Sequence, residues 1–300
     1  MKNVYELVDS NKRKSNLVVA GFILFVVAVT YVFTLAFGYD LSVVGIALII
    51  SGFITIISYY NSDKIVVALS GARPATKERD FEFYTVTENL IMAARVPMPK
   101  LYVIEDTAMN AFATGRDPQH AAVVVTSGLL SRLDRTELEG VIAHELSHVK
   151  NYDIRLMSLV TILVGLITLL ADMLLRMGRF GGGRNKREGN QVGIIIFVVG
   201  VVLALLSPLI ANLIKLAISR RREFLADASG AHITRFPEGL ARALEKINSD
   251  TEPLEAANKA TAHLYIANPL KNHHDAVGWF AKMFNTHPPV SERIAALRSS

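Results

Sequence analysis

His144-Glu145-Leu146-Ser147-His148 is the stretch from which the rest of this chain can be read. On an α-helix, residues four apart lie one above the other on the same face, so both rings can reach a single metal ion while Glu145 projects beside them. His-Glu-x-x-His in that setting is the pattern of a zinc hydrolase. Zn²⁺ lowers the pKa of water from about 15.7 to about 7, and a neighbouring carboxylate can take the proton and hand it to a leaving amine. A helix with two surface histidines and a solvated glutamate would carry the same letters, so the context matters. Thr136-Glu137-Leu138-Glu139 has capping-box form, with Thr136 as N-cap and Glu139 reaching back. Leu138, Val141, Ile142 and Leu146 follow at helical spacing, which puts the motif on a helix with an apolar face to bury.

A catalytic zinc needs three protein ligands and an open position. One known source, a third histidine further along the same segment, would require glycine at position 151 and histidine at position 154, where this chain has Asn151 and Ile154. The other source is a glutamate on a second helix. Glu223-Phe224-Leu225-Ala226-Asp227 offers one, with Asp227 a helical turn later. A histidine ligand usually donates its second ring N–H to a carboxylate, and Asp227 is the candidate for that role, with Asp153 just past the motif helix as another. Taken alone, Glu223 also reads as a charge within the basic run Arg220-Arg221-Arg222.

The chain has 300 residues, 51% of them hydrophobic and only 20% charged, with a mean hydropathy of +0.33, too apolar for an ordinary soluble domain. Residues 16–37 and 41–60 are uncharged apolar runs long enough to cross a bilayer apart from Asp40 in their tight connection, Gly38-Tyr39-Asp40, and they read as a helical hairpin. Lys2, Lys12, Arg13 and Lys14 precede it and Lys64, Arg73, Lys77 and Arg79 follow, so both ends are expected in the cytoplasm. No small-residue cleavage site follows a short apolar core, which makes this a retained anchor.

Residues 156–175 and 192–211 are two more apolar runs, lying between the motif and Glu223. If His144, His148 and Glu223 bind one metal, this pair crosses the membrane twice or not at all. Spanning is the favoured reading, and a hairpin resting on the cytoplasmic part is the alternative. Arg176, Arg179, Arg184, Lys186 and Arg187 in the loop 176–191 count against spanning. Asp172, Pro208 and Asn212 suit helices packed on protein.

There is no cysteine, so disulfides, thiol catalysis and thiolate zinc ligation are excluded. The net charge of +5 is accounted for by basic residues flanking apolar runs and calls for no nucleic acid. No phosphate-cradling glycine loop appears, so cleavage is expected to need no nucleotide. Low complexity is confined to Gly181-Gly182-Gly183.

Residues 61–155 form a longer polar part. A helix is expected over 78–95, ending before Pro97, and strands over 101–105 and 121–126, which suggests a small α+β unit. Asn110, Ala111, Phe112 and Ala113, continuing to Gly115, lie between those strands and could form an edge that pairs with an extended peptide substrate, or an ordinary hairpin strand. After Glu223 the chain reads as helical. Pro237 opens one helix, and Pro288-Pro289 introduce another with Val290, Ile294 and Leu297 as its apolar positions. His287, before those prolines, is a candidate stabiliser of the tetrahedral oxyanion. His273 and His274 receive no role, and Trp279, Phe280, Met283 and Phe284 read as core or membrane-surface packing.

Taken in order, these motifs resemble the HtpX heat-shock protease family, relatives of the CAAX prenyl-protein endoproteases. The likeness runs over nearly the whole chain: the N-terminal hairpin, Pro97-Met98-Pro99-Lys100, the 110–115 stretch, Glu139 to His148, Glu223 to Asp227, and Thr286-His287-Pro288-Pro289. It implies an α+β zincin-like metallopeptidase domain, predominantly helical, with about four membrane-associated helices and one Zn²⁺ per chain. His144, His148 and Glu223 would be the zinc ligands and Glu145 the catalytic base, on the cytoplasmic side of the plasma or inner membrane. The expected organisation is an N-terminal hairpin (1–60), a cytoplasmic zincin-like part (61–155), a second apolar hairpin (156–218) and a C-terminal helical part with the third ligand (219–300). The resemblance implies quality-control cleavage of misfolded or damaged proteins, with unfolded or membrane proteins as substrates and the lipid bilayer as a partner. A prenyl-protein protease and a transporter or scaffold with a structural zinc are the rival functions. An intramembrane protease is disfavoured by Glu137, Glu139, Lys150 and Asp153 around the motif.

Overall fold

Two long helices open the chain, α1 (Val4–Phe37) and α2 (Ser42–Tyr60), which pack side by side and lead through Asn61 into the short α3 (Ser62–Leu69). The structure is a computed structural model that describes residues 4–37, 40, 42–165, 220–257, 261–267, 269 and 288–299. The fourth apolar run, the basic loop with its glycines, the second half of the third run, His273, His274, the 279–284 cluster and His287 lie outside the described residues.

A strand β1 (Arg73–Pro74) precedes α4 (Phe81–Ala94). Helix α4 begins three residues later than its pattern suggests because Asp80, the residue before it, is held by Arg73 and the Thr76 N–H, and it ends where Arg95 turns to φ 57° ahead of Pro97. Then come β2 (Lys100–Ile104), β3 (Ala111–Gly115) and β4 (Ala121–Thr126), ordered β1-β2-β4-β3 in one sheet. Strand β2 runs parallel to β4, with Leu101 opposite Val123, and β3 runs antiparallel to β4, with Ala113 opposite Val123.

Both faces of this sheet are covered, which is why β4 reads as an unbroken apolar run with no alternation. Leu101, Val103, Ala113, Val123 and Val125 face a core shared with α4 and the motif helix, while Phe112, Ala122 and Val124 face Val66 and Val67 of α3 and the segment around Leu264 and Tyr265.

After β4 the chain forms α5 (Ser127–Arg132) and α6 (Arg135–Lys150), the motif helix. A further helix, α7, starts at 153 and is described to 165. Beyond it lie α8 (Arg220–Thr234), α9 (Pro237–Ser249) and α10 (Val290–Arg298). Pro237 opens α9 as expected, and Leu297 of α10 is buried with Val290 and Ile294 packed against the same core. The architecture is predominantly helical around one four-stranded sheet among the described residues.

Counting only the described residues, no helix is long and apolar enough to cross a membrane. Several side chains of α1 and α2 are outside the description, and among the rest Leu24, Ile46, Ile49, Phe53 and Ile57 are exposed. The described part of the third apolar run, 156–165, is buried throughout and packs on protein. Leu156, Val160 and Leu163 in it have 3% exposure or less.

Candidate metal centre

Helix α6 is fixed at its start by a capping box, but two residues earlier than Thr136 and Glu139 suggest. Asp134 is the N-cap: its carboxylate accepts from the Glu137 N–H at 2.9 Å, and Glu137 accepts from the Asp134 N–H at 2.8 Å. Thr136 instead donates to Asp134, and Glu139 pairs with Arg135. The same Asp-x-x-Glu and Thr-x-x-Glu spacing occurs twice in overlap. The first wins because Glu137 is buried and is also bonded by Lys246 of α9 at 2.7 Å.

Along its length α6 touches neighbours too closely for side chains to intervene. At Gly140 an added Cβ would stand 2.6 Å from the Leu240 backbone nitrogen, so α9 lies directly on the helix. At Gly230 of α8 it would stand 3.1 Å from the backbone nitrogen of His144. This second approach sets α8 against the motif, and Glu223 and Asp227 come with it.

The result is a buried triad of donors. His144 Nε2 and His148 Nε2 are 3.2 Å apart, and the Glu223 carboxylate lies 3.9 Å from the first and 3.6 Å from the second. All three residues are buried and their ligand atoms lie within 4.8 Å of one another. Tetrahedral zinc with bonds of about 2.0 to 2.1 Å separates its ligands by roughly 3.3 Å. Two imidazole nitrogens and one carboxylate oxygen converging at this spacing fit Zn²⁺ in charge, softness and geometry.

Each ring has its own carboxylate. His144 Nδ1 is 2.9 Å from Asp227 Oδ1, and His148 Nδ1 is 3.1 Å from Asp153 Oδ2. With Nδ1–H donated in this way, each Nε2 is turned inward as a donor to metal. Burial lowers the pKa of His144 and keeps its ring neutral. Burial works against a charged His148 too, but the Asp153 hydrogen bond and the charge of Glu223 outweigh it and raise the ring to about 9. Burial also pushes the Glu145 carboxyl up to about 7, with Glu223 adding and His148 opposing, while the Ala113 N–H donates to it.

Residues 77–300 match Peptidase family M48. The chain belongs to peptidase family M48. It is a zinc-dependent metallopeptidase, and the three converging donors are able to hold the metal. Among its relatives, a protease HtpX homolog of Dictyoglomus thermophilum is 45% identical over 98% of this chain and 94% of its own length. One of Thermoanaerobacter pseudethanolicus is 44% identical over 99% and 98%. One of Listeria monocytogenes is 40% identical over 99% of each. A crystal structure of S. mikatae Ste24p aligns with 98% of this chain and 67% of its own, at 19% identity and a TM-score of 0.46.

The M48 centre includes a residue that pattern reading missed. Arg293 of α10 is fully buried and grips Asp227 with two bonds, Nε to Oδ2 at 2.8 Å and Nη2 to Oδ1 at 2.6 Å. Its Nη2 lies 3.4 and 3.5 Å from the two nitrogens of His144, so the guanidinium packs against the ring, and its Nη1 lies 3.8 Å from Glu223. Burial works against the Asp227 charge, but Arg293 outweighs it and holds the carboxyl down at about 2. Only the amphipathic pattern of α10 could have pointed here, as the charged position on its buried side.

Strand β3 of the M48 domain is at the sheet edge, but that edge is engaged. The Ala111 carbonyl accepts from the Ile266 N–H at 2.9 Å, Gly115 N–H donates to Ser158, and Asn110 exchanges bonds with the backbone of Ala267. Phe112 points to the opposite face of the sheet and meets Tyr265 edge to face at 5.0 Å. The expectation of an open edge over Asn110, Ala111, Phe112 and Ala113 is therefore amended: the 261–267 segment already lies against its start.

Proposed function

We propose that this chain is a membrane-anchored zinc endopeptidase that cleaves misfolded or damaged membrane proteins, with its centre facing the cytoplasm. The convergence of His144, His148 and Glu223 at 3.2 to 3.9 Å, beside Glu145 on the same helix, is the observation that carries the chemistry. In this reading His144, His148 and Glu223 are the zinc ligands, and Asp227 and Asp153 fix the tautomers of the two rings. Bound there, Zn²⁺ supplies Lewis acidity toward water and the scissile carbonyl. Glu145 takes the proton of the attacking water on its carboxylate and returns it to the leaving amine nitrogen. With Zn²⁺ bound, the nearby dication favours the ionised carboxylate against the burial that raises it, which leaves Glu145 ready to accept the proton. The peptide would lie along β3 at Ala113, once the 261–267 segment yields, and His287 would assist at the oxyanion.

Membrane anchorage is supported by α1 and α2, whose exposed Leu24, Ile46, Ile49 and Phe53 make a surface that water disfavours. At the end of α2, Tyr59 and Tyr60 lie under Arg155 and Arg116 at 5.2 Å, and tyrosine is the residue type expected at a lipid headgroup boundary. Residues 1–60 would form the anchor, 61–155 and 219–300 the cytoplasmic part, and 156–218 a second hairpin that begins within the protein.

The test is cleavage of an unfolded casein-like substrate by detergent-purified protein, comparing wild type with Glu145→Gln at equal zinc content. Glu145→Gln is expected to keep zinc and lose activity by about 10²- to 10⁴-fold. Full activity in that variant would sink the assignment of the base, and zinc retained by His144→Ala or Glu223→Ala would sink the ligand set.

A further inference from the structure

The N-terminal helix reaches the surroundings of the metal centre. Asn11, early in α1, is 3% exposed although α1 carries exposed apolar residues further along. Its Nδ2 donates to Asp153 Oδ1 at 2.7 Å and to the Asn151 carbonyl, at the C-cap of α6, at 3.1 Å. Its Oδ1 accepts from Arg222 at 3.1 Å. Turned over, the amide would set NH₂ against a guanidinium and oxygen against a carboxylate, so the partners dictate one orientation. Asp153 spends its other oxygen, Oδ2, on His148 Nδ1 at 3.1 Å. Arg222 also lies 3.4 Å from Asp153 Oδ1 and immediately precedes Glu223 in the chain.

We propose that Asn11 is a positioning residue for the metal centre: it locks the Asp153 carboxylate that aims His148, and so makes the N-terminal helix part of the zinc site. The inference rests on the reading of His148 as a zinc ligand. It also reaches outside the span 77–300 that matches the peptidase family. Other residues on this part of α1 dock without touching a ligand's partner, as Lys12 does over the Tyr152 ring at 4.9 Å. They separate holding the helix from holding the metal.

The experiment measures zinc loss from the full-length, detergent-purified protein to an excess of chromogenic chelator. Losing the carboxylate partner of a ligand typically costs 10- to 100-fold in affinity, and Asn11 acts one bond further out, so Asn11→Ala is expected to release zinc about 3- to 10-fold faster. Asn11→Ser, which keeps a polar group too short to reach Asp153, should behave alike and serves if the alanine variant folds poorly. Added to Asp153→Asn, Asn11→Ala should change little, because both act through one carboxylate. Lys12→Ala should leave zinc loss at the wild-type rate. A wild-type rate in both Asn11 variants, even with a lowered melting temperature, would reduce Asn11 to a docking contact and overturn the proposal, as would full additivity with Asp153→Asn. His148→Ala separates the two levels: if it keeps zinc, the ligand reading itself fails; if it loses zinc while the Asn11 variants do not, only the role of Asn11 fails.

Discussion

Arg293 supports the centre without being one of the three converging donors. Its two bonds to Asp227 hold the carboxylate that orients His144, and it sits in a fully buried position where an uncompensated charge is costly. Arg293→Lys keeps the charge but cannot reproduce the planar two-point grip. We expect zinc affinity to fall by about 10-fold, measured by chelator competition, with a lowered melting temperature. An unchanged affinity would mean that Asp227 holds His144 unaided. The contrast with the legible part of the site is instructive. His144 and His148 could be read because a shared metal needs them one helical turn apart, Glu145 because it stands between them in that pattern, and Asp227 because it follows Glu223 by one turn. Arg293 is 66 residues from Asp227 and Asn11 is 142 from Asp153, so no local spacing betrays either. Partners brought together only by tertiary packing leave no period in the sequence.

At the scale of elements, the helices and strands followed from their patterns wherever one face is buried, and their limits shifted where a side chain was claimed elsewhere. Asp80 is taken by Arg73, which delays α4, and Glu137 is taken by Lys246, which moves the cap of α6 to Asp134. The third apolar run has the composition of a membrane span, yet its described half packs inside the protein, because apolarity does not distinguish lipid from core. What no pattern discloses is how near two helices come. Gly140 lets Leu240 of α9 rest on the backbone of α6, with an added Cβ 2.6 and 2.7 Å from Leu240 backbone atoms. Backbone cannot step aside as a flexible side chain would, so Gly140→Ala should force α9 outward and destabilise the domain by about 1 to 3 kcal/mol. Thermal unfolding monitored by circular dichroism checks this. A stabilised variant, as helix propensity alone would give, would show that α9 can shift without cost.

Across the whole molecule, the centre gathers α1, α6, α8 and α10 from distant parts of the chain, so zinc binding and the electrostatics of the fold are linked. Without zinc the His148 ring is raised to about 9, because Asp153 and Glu223 outweigh its burial, and it is therefore protonated at neutral pH. As the proposed zinc ligand, that Nε2 must be bare, so zinc must displace the proton. Below about pH 9 each unit of acidification should thus weaken zinc binding by about tenfold, and above it affinity should level off. Glu145, raised by burial to about 7, adds a second proton on the acid side, since a nearby dication favours the ionised carboxylate. The plot of log affinity against pH should accordingly steepen from a slope near one to a slope near two as pH falls through about 7. Isothermal titration in buffers of different ionisation enthalpy reads the protons released directly. Glu145→Gln should remove the steeper limb and leave the upper one, whereas Asp153→Asn should draw the upper limb toward lower pH by withdrawing the charge that holds the His148 proton. A slope that stays at zero through this range would mean that His148 is already neutral without zinc.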